Sequence, residues 1–110
     1  MSWFKRGPNP LEIAASDAHA LVNEGKAVIV DVREPYEWRS GHAVPATHIP
    51  LGGLATKIKH LPKDREILLI CESGSRSLAG ARWLADAGFP ARSIMGGTPA
   101  WSRAGLPIGR

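Results

Sequence analysis

Two uninterrupted runs of apolar residues limit most strongly what this chain can fold into. Residues 27–32 read AVIVDV, and residues 66–71 read EILLIC. A strand with one wet face alternates apolar and polar residues, whereas a continuous apolar run of this length is typical of a strand buried on both faces. Such strands occur in parallel sheets that helices cover on both sides. Both runs are therefore predicted to be central strands of a parallel sheet.

Helix signals separate and follow these strands. Ser16 and Gly25 bracket one helix as its N-cap and C-cap, and Gly88 closes another. The predicted helices span residues 16–25, 35–40, 54–61, 77–88 and 98–104, and a further short strand spans residues 93–95. Strands and helices alternating in this order predict an α/β fold, in which a small central parallel sheet has helices on both faces.

The length of 110 residues suits one domain with one apolar core. We assign residues 1–10, which end in a Gly and Pro break, to an N-terminal arm and residues 11–110 to the domain. Trp3 and Phe4 of the arm are expected to pack against the domain. No apolar stretch has the length of a signal sequence or of a spanning helix, so no membrane association is predicted.

The counts of cysteine and charge exclude several classes of function. Cys71 is the only cysteine, so no internal disulfide can form, and a reducing compartment, the cytoplasm, is predicted. The net charge of +4 contains no run of five like charges, which argues against nucleic acid and leaves a weak preference for anionic small molecules. No metal is predicted, because metal-ligand spacing is absent from the four histidines, His19, His42, His48 and His60.

Cys71 ends the second buried run, at the edge of the sheet where open α/β sheets gather their ligands. A short loop of small residues then leads into the next predicted helix. Such a loop turns successive backbone N–H groups inward to form an anion-binding nest, and Gly74 permits the backbone angles required. Arg76 adds a planar pair of donors for an oxyanion. These groups would also stabilise a thiolate, so Cys71 is interpreted as an activated nucleophile, with a buried structural cysteine as the alternative.

Four motifs in register resemble one known family. They are DVRE at residues 31–34, GH at 41–42 with IP at 49–50, CESGSRS at 71–77, and GGTPAW at 96–101 with GLP at 105–107. In this order and spacing they resemble the rhodanese homology domain, and the resemblance covers nearly everything from Ile13 onward.

The resemblance implies a single-domain sulfurtransferase. Such an enzyme moves a sulfane sulfur from thiosulfate or a persulfide donor to a thiophilic acceptor, with cyanide as the acceptor in vitro. The sulfur would be carried as a persulfide on Cys71, without a cofactor, and the donor or acceptor could also be a protein. Asp31 and Arg33 could orient the loop, or they could form a structural ion pair. The implied substrate-binding residues are those of the loop, Glu72, Ser73, Gly74, Ser75 and Arg76.

Two other functions remain open. Some domains of this type are sulfur carriers or regulatory binding modules, and such a module would share every residue with the enzyme. Cysteine phosphatases place five residues between Cys and Arg, whereas this loop holds four, which favours sulfur transfer. Two residues depart from the family pattern. Pro45 is expected to stiffen a turn and remove a donor, and Glu72 is expected to point away from the anion site.

Overall fold

A computed structural model describes residues 9–110 of the chain. Most of the predicted N-terminal arm, with Trp3 and Phe4, lies outside the described residues. The described part forms a five-stranded sheet of the strands β1 (Glu12–Ile13), β2 (Ala27–Asp31), β4 (Thr47–His48), β5 (Glu66–Ile70) and β6 (Ala91–Ile94). They lie in the order β1-β6-β5-β2-β4, and every neighbouring pair is parallel. The two apolar runs are the central strands β2 and β5, which confirms the predicted role of both.

Helices cover both faces of this sheet, so the predicted fold class is confirmed. The α-helices of the described residues are α1 (Ala15–Asn23), α2 (Pro35–Arg39), α3 (Leu54–Lys57), α4 (Ser75–Asp86) and α5 (Gly97–Arg103), and residues of α1, α3, α4 and α5 pack in the core. The longest of them, α4, has 12 residues. Among the described residues, no helix combines the length and the apolar character needed to cross a bilayer.

Alternation along β5 divides the apolar core into two layers. Ile67 and Leu69 pack in one layer, which includes residues of α3 and α4, while Leu68 and Ile70 pack in the other, which includes residues of α1 and α5. Successive side chains of a strand point to opposite faces, so both faces of β5 need apolar residues. All four of these side chains are fully buried, which explains why the run is continuous rather than alternating.

The pairing of β2 with β5 brings the candidate site residues together. Asp31 lies opposite Ile70 in the parallel register, and the Val32 N–H donates to the Ile70 carbonyl oxygen at 3.0 Å. Both strands therefore end at the same edge of the sheet. As a result, Arg33, which comes after β2, and Cys71, which comes after β5, both lie at the carboxyl edge of the sheet.

Several predicted helix boundaries are wrong. Ser16 is not the N-cap of α1: Ala14 occupies that position without a side-chain cap, and its carbonyl accepts the Ala18 N–H at 2.9 Å. Ala15 and Ala18 are buried, so packing on the sheet decides where this helix begins. The helix after the loop begins at Ser75, not Ser77, because the preceding glycine has the left-handed conformation and turns the chain directly into the helix.

The predicted helix over residues 54–61 is also wrong in part. Only Leu54–Lys57 is α-helical, and 3-10 turns flank it at Leu51–Gly53 and Ile58–His60. Lys57, with φ of −98° and ψ of 1°, departs from α-helical angles, so the regular helix ends there and a 3-10 turn follows.

Four two-residue strands escaped prediction, because periodicity cannot be recognised over two positions. Two of them, β1 and β4, are the edges of the main sheet. The other two are β3 (His42–Ala43) and β7 (Ile108–Gly109), which pair with each other antiparallel. Pro45 follows a cis peptide bond in the segment between β3 and β4.

Candidate active site

Cys71 follows β5 directly, and its side chain is fully buried. Its Sγ accepts the backbone N–H of Gly74 at 3.1 Å and that of Ser77 at 3.3 Å. The Ser77 hydroxyl oxygen lies 3.3 Å from the same sulfur. The loop therefore directs hydrogen-bond donors at the sulfur, an arrangement that stabilises negative charge on it.

Gly74 makes this turn possible. Its φ of +105° lies in the left-handed region, which residues with a Cβ rarely adopt. It is also the N-cap residue of α4, so the first N–H groups of that helix face back toward the loop. Ser77 lies in the first turn, where the helix dipole favours an anion.

The start of α5 supports the loop from the other side. Thr98 donates to the Cys71 carbonyl oxygen from its N–H, at 2.8 Å, and from its hydroxyl, at 3.2 Å. Gly97, with φ of +61°, lies so close that a Cβ there would overlap the carbonyl oxygens of Cys71 and Glu72. This close approach to the loop is the structural role of Gly97.

Arg76, at the far end of the loop, forms a bidentate ion pair with Glu37 of α2. The two N–O distances are 2.8 and 2.9 Å. The hydrogen bonds from Arg76, together with that from the Glu34 N–H, lower the pKa of Glu37 from 4.5 to about 2 against the opposing effect of burial. The same pair raises the pKa of Arg76. In this structure, the guanidinium ties the first turn of α4 to α2.

Asp31 and Arg33 form a buried ion pair beside the loop. Both Arg33 Nε and Nη2 donate to the Asp31 carboxylate, at 2.9 to 3.1 Å, and the two side chains are at most 3% exposed. Arg33 also donates to the Gly41 carbonyl at 2.7 Å and lies 3.4 Å from a Glu72 carboxylate oxygen. The two interpretations of this pair are therefore compatible, since it is a structural ion pair that also contacts the loop.

The remaining loop side chains face solvent. The Glu72 side chain is 52% exposed and contacts Arg33, in keeping with the expected outward orientation. The hydroxyls of Ser73 and Ser75 lie 3.2 Å apart on the exposed surface. Since these side chains point away from Sγ, the backbone of the loop is the part that faces the sulfur.

A shallow groove of about 270 Å³ opens beside the loop. Its lining combines the sheet edge, the loop and α5, and includes Arg33, Gly41, Glu72, Thr98 and Ser102. The groove lies at the carboxyl edge of the sheet, where the sequence placed the ligand site.

Sequence reasoning missed four residues of this site. Ser77 had a usable signal, because it follows the cysteine by six positions at the start of a helix. Glu37 had only a local one, the capping box that it forms with Glu34 at the start of α2. Nothing in the sequence connects Thr98 or Ser93 with Cys71.

Three of the four histidines, His19, His42 and His48, pack against tryptophan rings. His42 Nδ1 lies 2.8 Å from the Trp38 carbonyl, and both His42 and His48 stack on the Trp38 ring. His19 meets Trp101 edge to face. Within residues 9–110, the structure brings together no group of three His, Cys, Asp or Glu side chains that could hold a metal ion.

The fold and the site together define an α/β protein with a cysteine loop at the carboxyl edge of a parallel sheet. A family model described as "Rhodanese-like domain" matches residues 14–104. This chain therefore belongs to the rhodanese-like domain family, as the motifs implied.

Relatives of known sequence or structure agree with this assignment. The chain is 33% identical over 89 residues to a protein of Allochromatium vinosum named "Sulfurtransferase", an alignment that covers 80% of this chain and 83% of the relative. It superposes on a rhodanese-related protein from Thermoplasma volcanium with a TM-score of 0.81 and 31% identity, covering 89% of this chain and 96% of that one. A rhodanese-like domain protein from Staphylococcus aureus gives a TM-score of 0.77 and 28% identity, covering 90% and 98%.

Proposed function

We propose that this chain is a sulfurtransferase that carries a sulfane sulfur as a persulfide on Cys71. The proposal depends mainly on the position of Cys71. This residue directly follows a central strand, and its Sγ accepts two backbone N–H groups, those of Gly74 and Ser77. The family and the name of the Allochromatium vinosum relative support transfer of sulfur.

The reaction has two half-reactions. The Cys71 thiolate attacks the outer sulfur of thiosulfate, the S–S bond of the donor breaks, and sulfite leaves with the bonding electron pair. Cys71 then carries a persulfide anion. An acceptor nucleophile such as cyanide attacks the terminal sulfur, and the Cys71 thiolate leaves, so that thiocyanate forms and the enzyme returns to its first state. Neither half-reaction requires a cofactor.

The residues of the loop have distinct parts in this proposal. Backbone N–H groups of residues 72–76 hold the persulfide, in the way that preorganised donors stabilise charge in other covalent mechanisms. Arg76 binds the oxygens of the donor or shapes the loop, and its ion pair with Glu37 supports the second of these. Asp31 holds Arg33 through their ion pair, and Arg33 positions the loop through its contact with Glu72.

The loop length and the groove favour small sulfur compounds as substrates. Only four residues separate Cys71 from Arg76, a tighter cradle than the five-residue loop of cysteine phosphatases. The groove beside the loop gives a small acceptor a place to approach. A protein donor or acceptor and a cytoplasmic location stay predictions from the sequence.

Intact-mass measurement tests the persulfide directly. After incubation of the reduced protein with thiosulfate, the mass should increase by one sulfur atom, and Cys71→Ser should show no increase. Addition of cyanide should remove the added sulfur and release thiocyanate. If the wild-type mass stays unchanged, the proposal is wrong.

Turnover separates an enzyme from a carrier. Continuous formation of thiocyanate from thiosulfate and cyanide is expected for the enzyme. A single transfer from a protein donor, without turnover on small molecules, would instead identify a carrier module.

A further inference from the structure

Two buried serine hydroxyls extend inward from Cys71. Ser77 of α4 and Ser93 of β6 are both fully buried, and their hydroxyl oxygens lie 2.7 Å apart. The Ser77 oxygen lies 3.3 Å from the Cys71 Sγ. The Gly74 carbonyl oxygen lies 3.2 Å from the Ser77 hydroxyl and 3.4 Å from that of Ser93. Thiol, hydroxyl, hydroxyl and carbonyl therefore form a continuous chain in the protein interior.

When Cys71 is a thiol, these groups are fully hydrogen-bonded with every donor pointing inward from the sulfur. A hydroxyl has one proton to donate and two lone pairs that accept. The S–H donates to Ser77, the Ser77 hydroxyl donates to Ser93, and the Ser93 hydroxyl donates to the Gly74 carbonyl. Each proton has an acceptor, so no buried polar group is left without a partner.

When Cys71 is a thiolate, the same groups are hydrogen-bonded with the donors pointing outward, toward the sulfur. The Ser77 hydroxyl then donates to the sulfur, and the Ser93 hydroxyl donates to Ser77. The Gly74 carbonyl still accepts the Leu78 N–H at 3.0 Å, so it keeps a partner. The thiol proton leaves to solvent, and each hydroxyl keeps its own proton and only rotates.

We propose that Ser93 is a positioning residue, which supports the Ser77 hydroxyl as a donor to the ionised sulfur of Cys71. Ser93 touches neither the sulfur nor the substrate and acts through Ser77. A hydroxyl that accepts one hydrogen bond becomes a stronger donor in the next, and buried networks of this kind are cooperative. The inference concerns the thiolate of the proposed nucleophile and does not depend on the identity of the sulfur donor.

Other groups around the loop also act on the sulfur, and the serine substitutions leave their charges in place. From β6, the residue that reaches the sulfur through Ser77 is the neutral Ser93, and α5 contributes the neutral Thr98 to the cysteine backbone. The charged groups that surround the loop are Arg76 on α4, Glu37 on α2, Asp31 and Arg33 at the end of β2, and Glu72 in the loop itself.

Titration of the thiolate by its ultraviolet absorbance tests the inference without any sulfur donor. Ser93→Ala should move the midpoint of the titration to higher pH by about half a unit, roughly a threefold fall in the ratio of thiolate to thiol at a given pH, as expected for weakening one hydrogen bond to a charged group. Ser77→Ala should move it further in the same direction. In the Ser77→Ala background, adding Ser93→Ala should produce no additional shift.

Two controls keep the test sharp. Ser16→Ala removes an exposed hydroxyl from α1 and should leave the midpoint in place. Ser93→Thr keeps a hydroxyl and should keep the midpoint close to that of the wild type. Circular dichroism of each variant reports whether it folds. Should Ser93→Ala fail to fold, Ser93→Gly, which also removes the hydroxyl, replaces it in both Ser77 backgrounds. A midpoint raised by more than about 0.2 only when the Ser77 hydroxyl is present supports the inference, and an unchanged midpoint overturns it.

The inference is overturned if Ser93→Ala leaves the midpoint unchanged, or if it shifts the midpoint equally with and without the Ser77 hydroxyl. Failure of the sulfur-transfer proposal has a different signature. In that case thiosulfate adds no sulfur to the wild-type protein, whereas the titration midpoints still depend on Ser93 through Ser77.

Discussion

Around Cys71, two glycines are important because they have no side chain where the backbone turns sharply or packs closely. Gly74 lets the loop turn back over the sulfur, and Gly97 lets α5 press against the loop carbonyls. Gly97 has two constraints, a positive φ and a lack of space, whereas Gly25 has a similar φ of +74° with nothing within 4 Å of its Cβ position. Alanine substitutions at Gly97 and Gly25 therefore separate the free-energy cost of backbone strain from the cost of a steric clash.

Gly97→Ala is expected to damage both stability and sulfur transfer. The left-handed conformation costs about 1 kcal/mol for alanine, and the overlap with two backbone carbonyls forces the loop itself to move, which should add about 1 to 3 kcal/mol. Urea unfolding measures the loss of stability, and persulfide formation measures the effect on the loop.

Gly25→Ala is the matched control for this experiment. It should lose only the strain cost of about 1 kcal/mol and keep full transfer activity, because the site lies elsewhere. Equal losses of stability and activity in the two variants would contradict the role assigned to Gly97.

Between elements, the Glu37–Arg76 ion pair joins α2 to the first turn of α4. α2 has just five residues, and none of them is buried. A second bidentate pair, Glu66–Arg92, links β5 to β6 away from the loop, with N–O distances of 2.6 and 2.8 Å. The two pairs are similar in chemistry and differ in location, so each is a control for the other.

Glu37→Gln is expected to lower the free energy of unfolding near pH 7 by about 1 kcal/mol, a value kept small because the Arg76 side chain is partly exposed. The pKa of Glu37 is lowered to about 2 in the folded protein from an ordinary 4.5, so its contribution to stability is complete above pH 4.5. As pH falls from 4.5 toward 2, the carboxylate takes up its proton and the contribution is lost. Urea unfolding of both proteins across this range should show the difference shrinking.

The same substitution should slow persulfide formation several-fold, because it releases the end of the loop. Glu66→Gln should cost similar stability without slowing the reaction. A difference between wild type and Glu37→Gln that stays constant down to pH 2 would show that the ion pair is not its source.

At the scale of the whole molecule, the net charge of +4 bears on how an anionic donor approaches. The field of a protein acts over the Debye length, which falls from roughly 30 Å at 0.01 M salt to about 8 Å at 0.15 M. At the loop itself, the exposed Glu72 carboxylate has the opposite sign. The balance of the two decides whether the protein attracts thiosulfate.

Persulfide formation from thiosulfate is expected to slow about two- to threefold between those salt concentrations, because screening removes the attraction of the positive molecule for a dianion. Stopped-flow or quenched mass measurements at each salt concentration check the rate. Alkylation of Cys71 by the neutral reagent iodoacetamide should change little over the same range. A thiosulfate rate that rises with salt would show that Glu72 dominates the local field.

Much of the fold could be predicted because it depends on local patterns. The continuous runs in β2 and β5 reflect burial on both faces, and the Cys71 loop follows from its place between a strand and a helix. The boundaries of α1 and α3 were less predictable. The burial of Ala15 and Ala18 outweighed the Ser16 cap, and the backbone angles of Lys57 end the helix that begins at Leu54 after one turn.

The sequence by itself determined the alternation of the longer strands with helices, the buried character of the central strands and the composition of the loop around Cys71. Each of these follows from residues that are neighbours in the chain. Only the tertiary structure decided that Arg76 meets Glu37, 39 positions away, and that Ser77 meets Ser93 across α4 and β6. Such contacts depend on the order and register of the strands and on how the helices pack. These are set by the apolar core as a whole, and no local pattern records them.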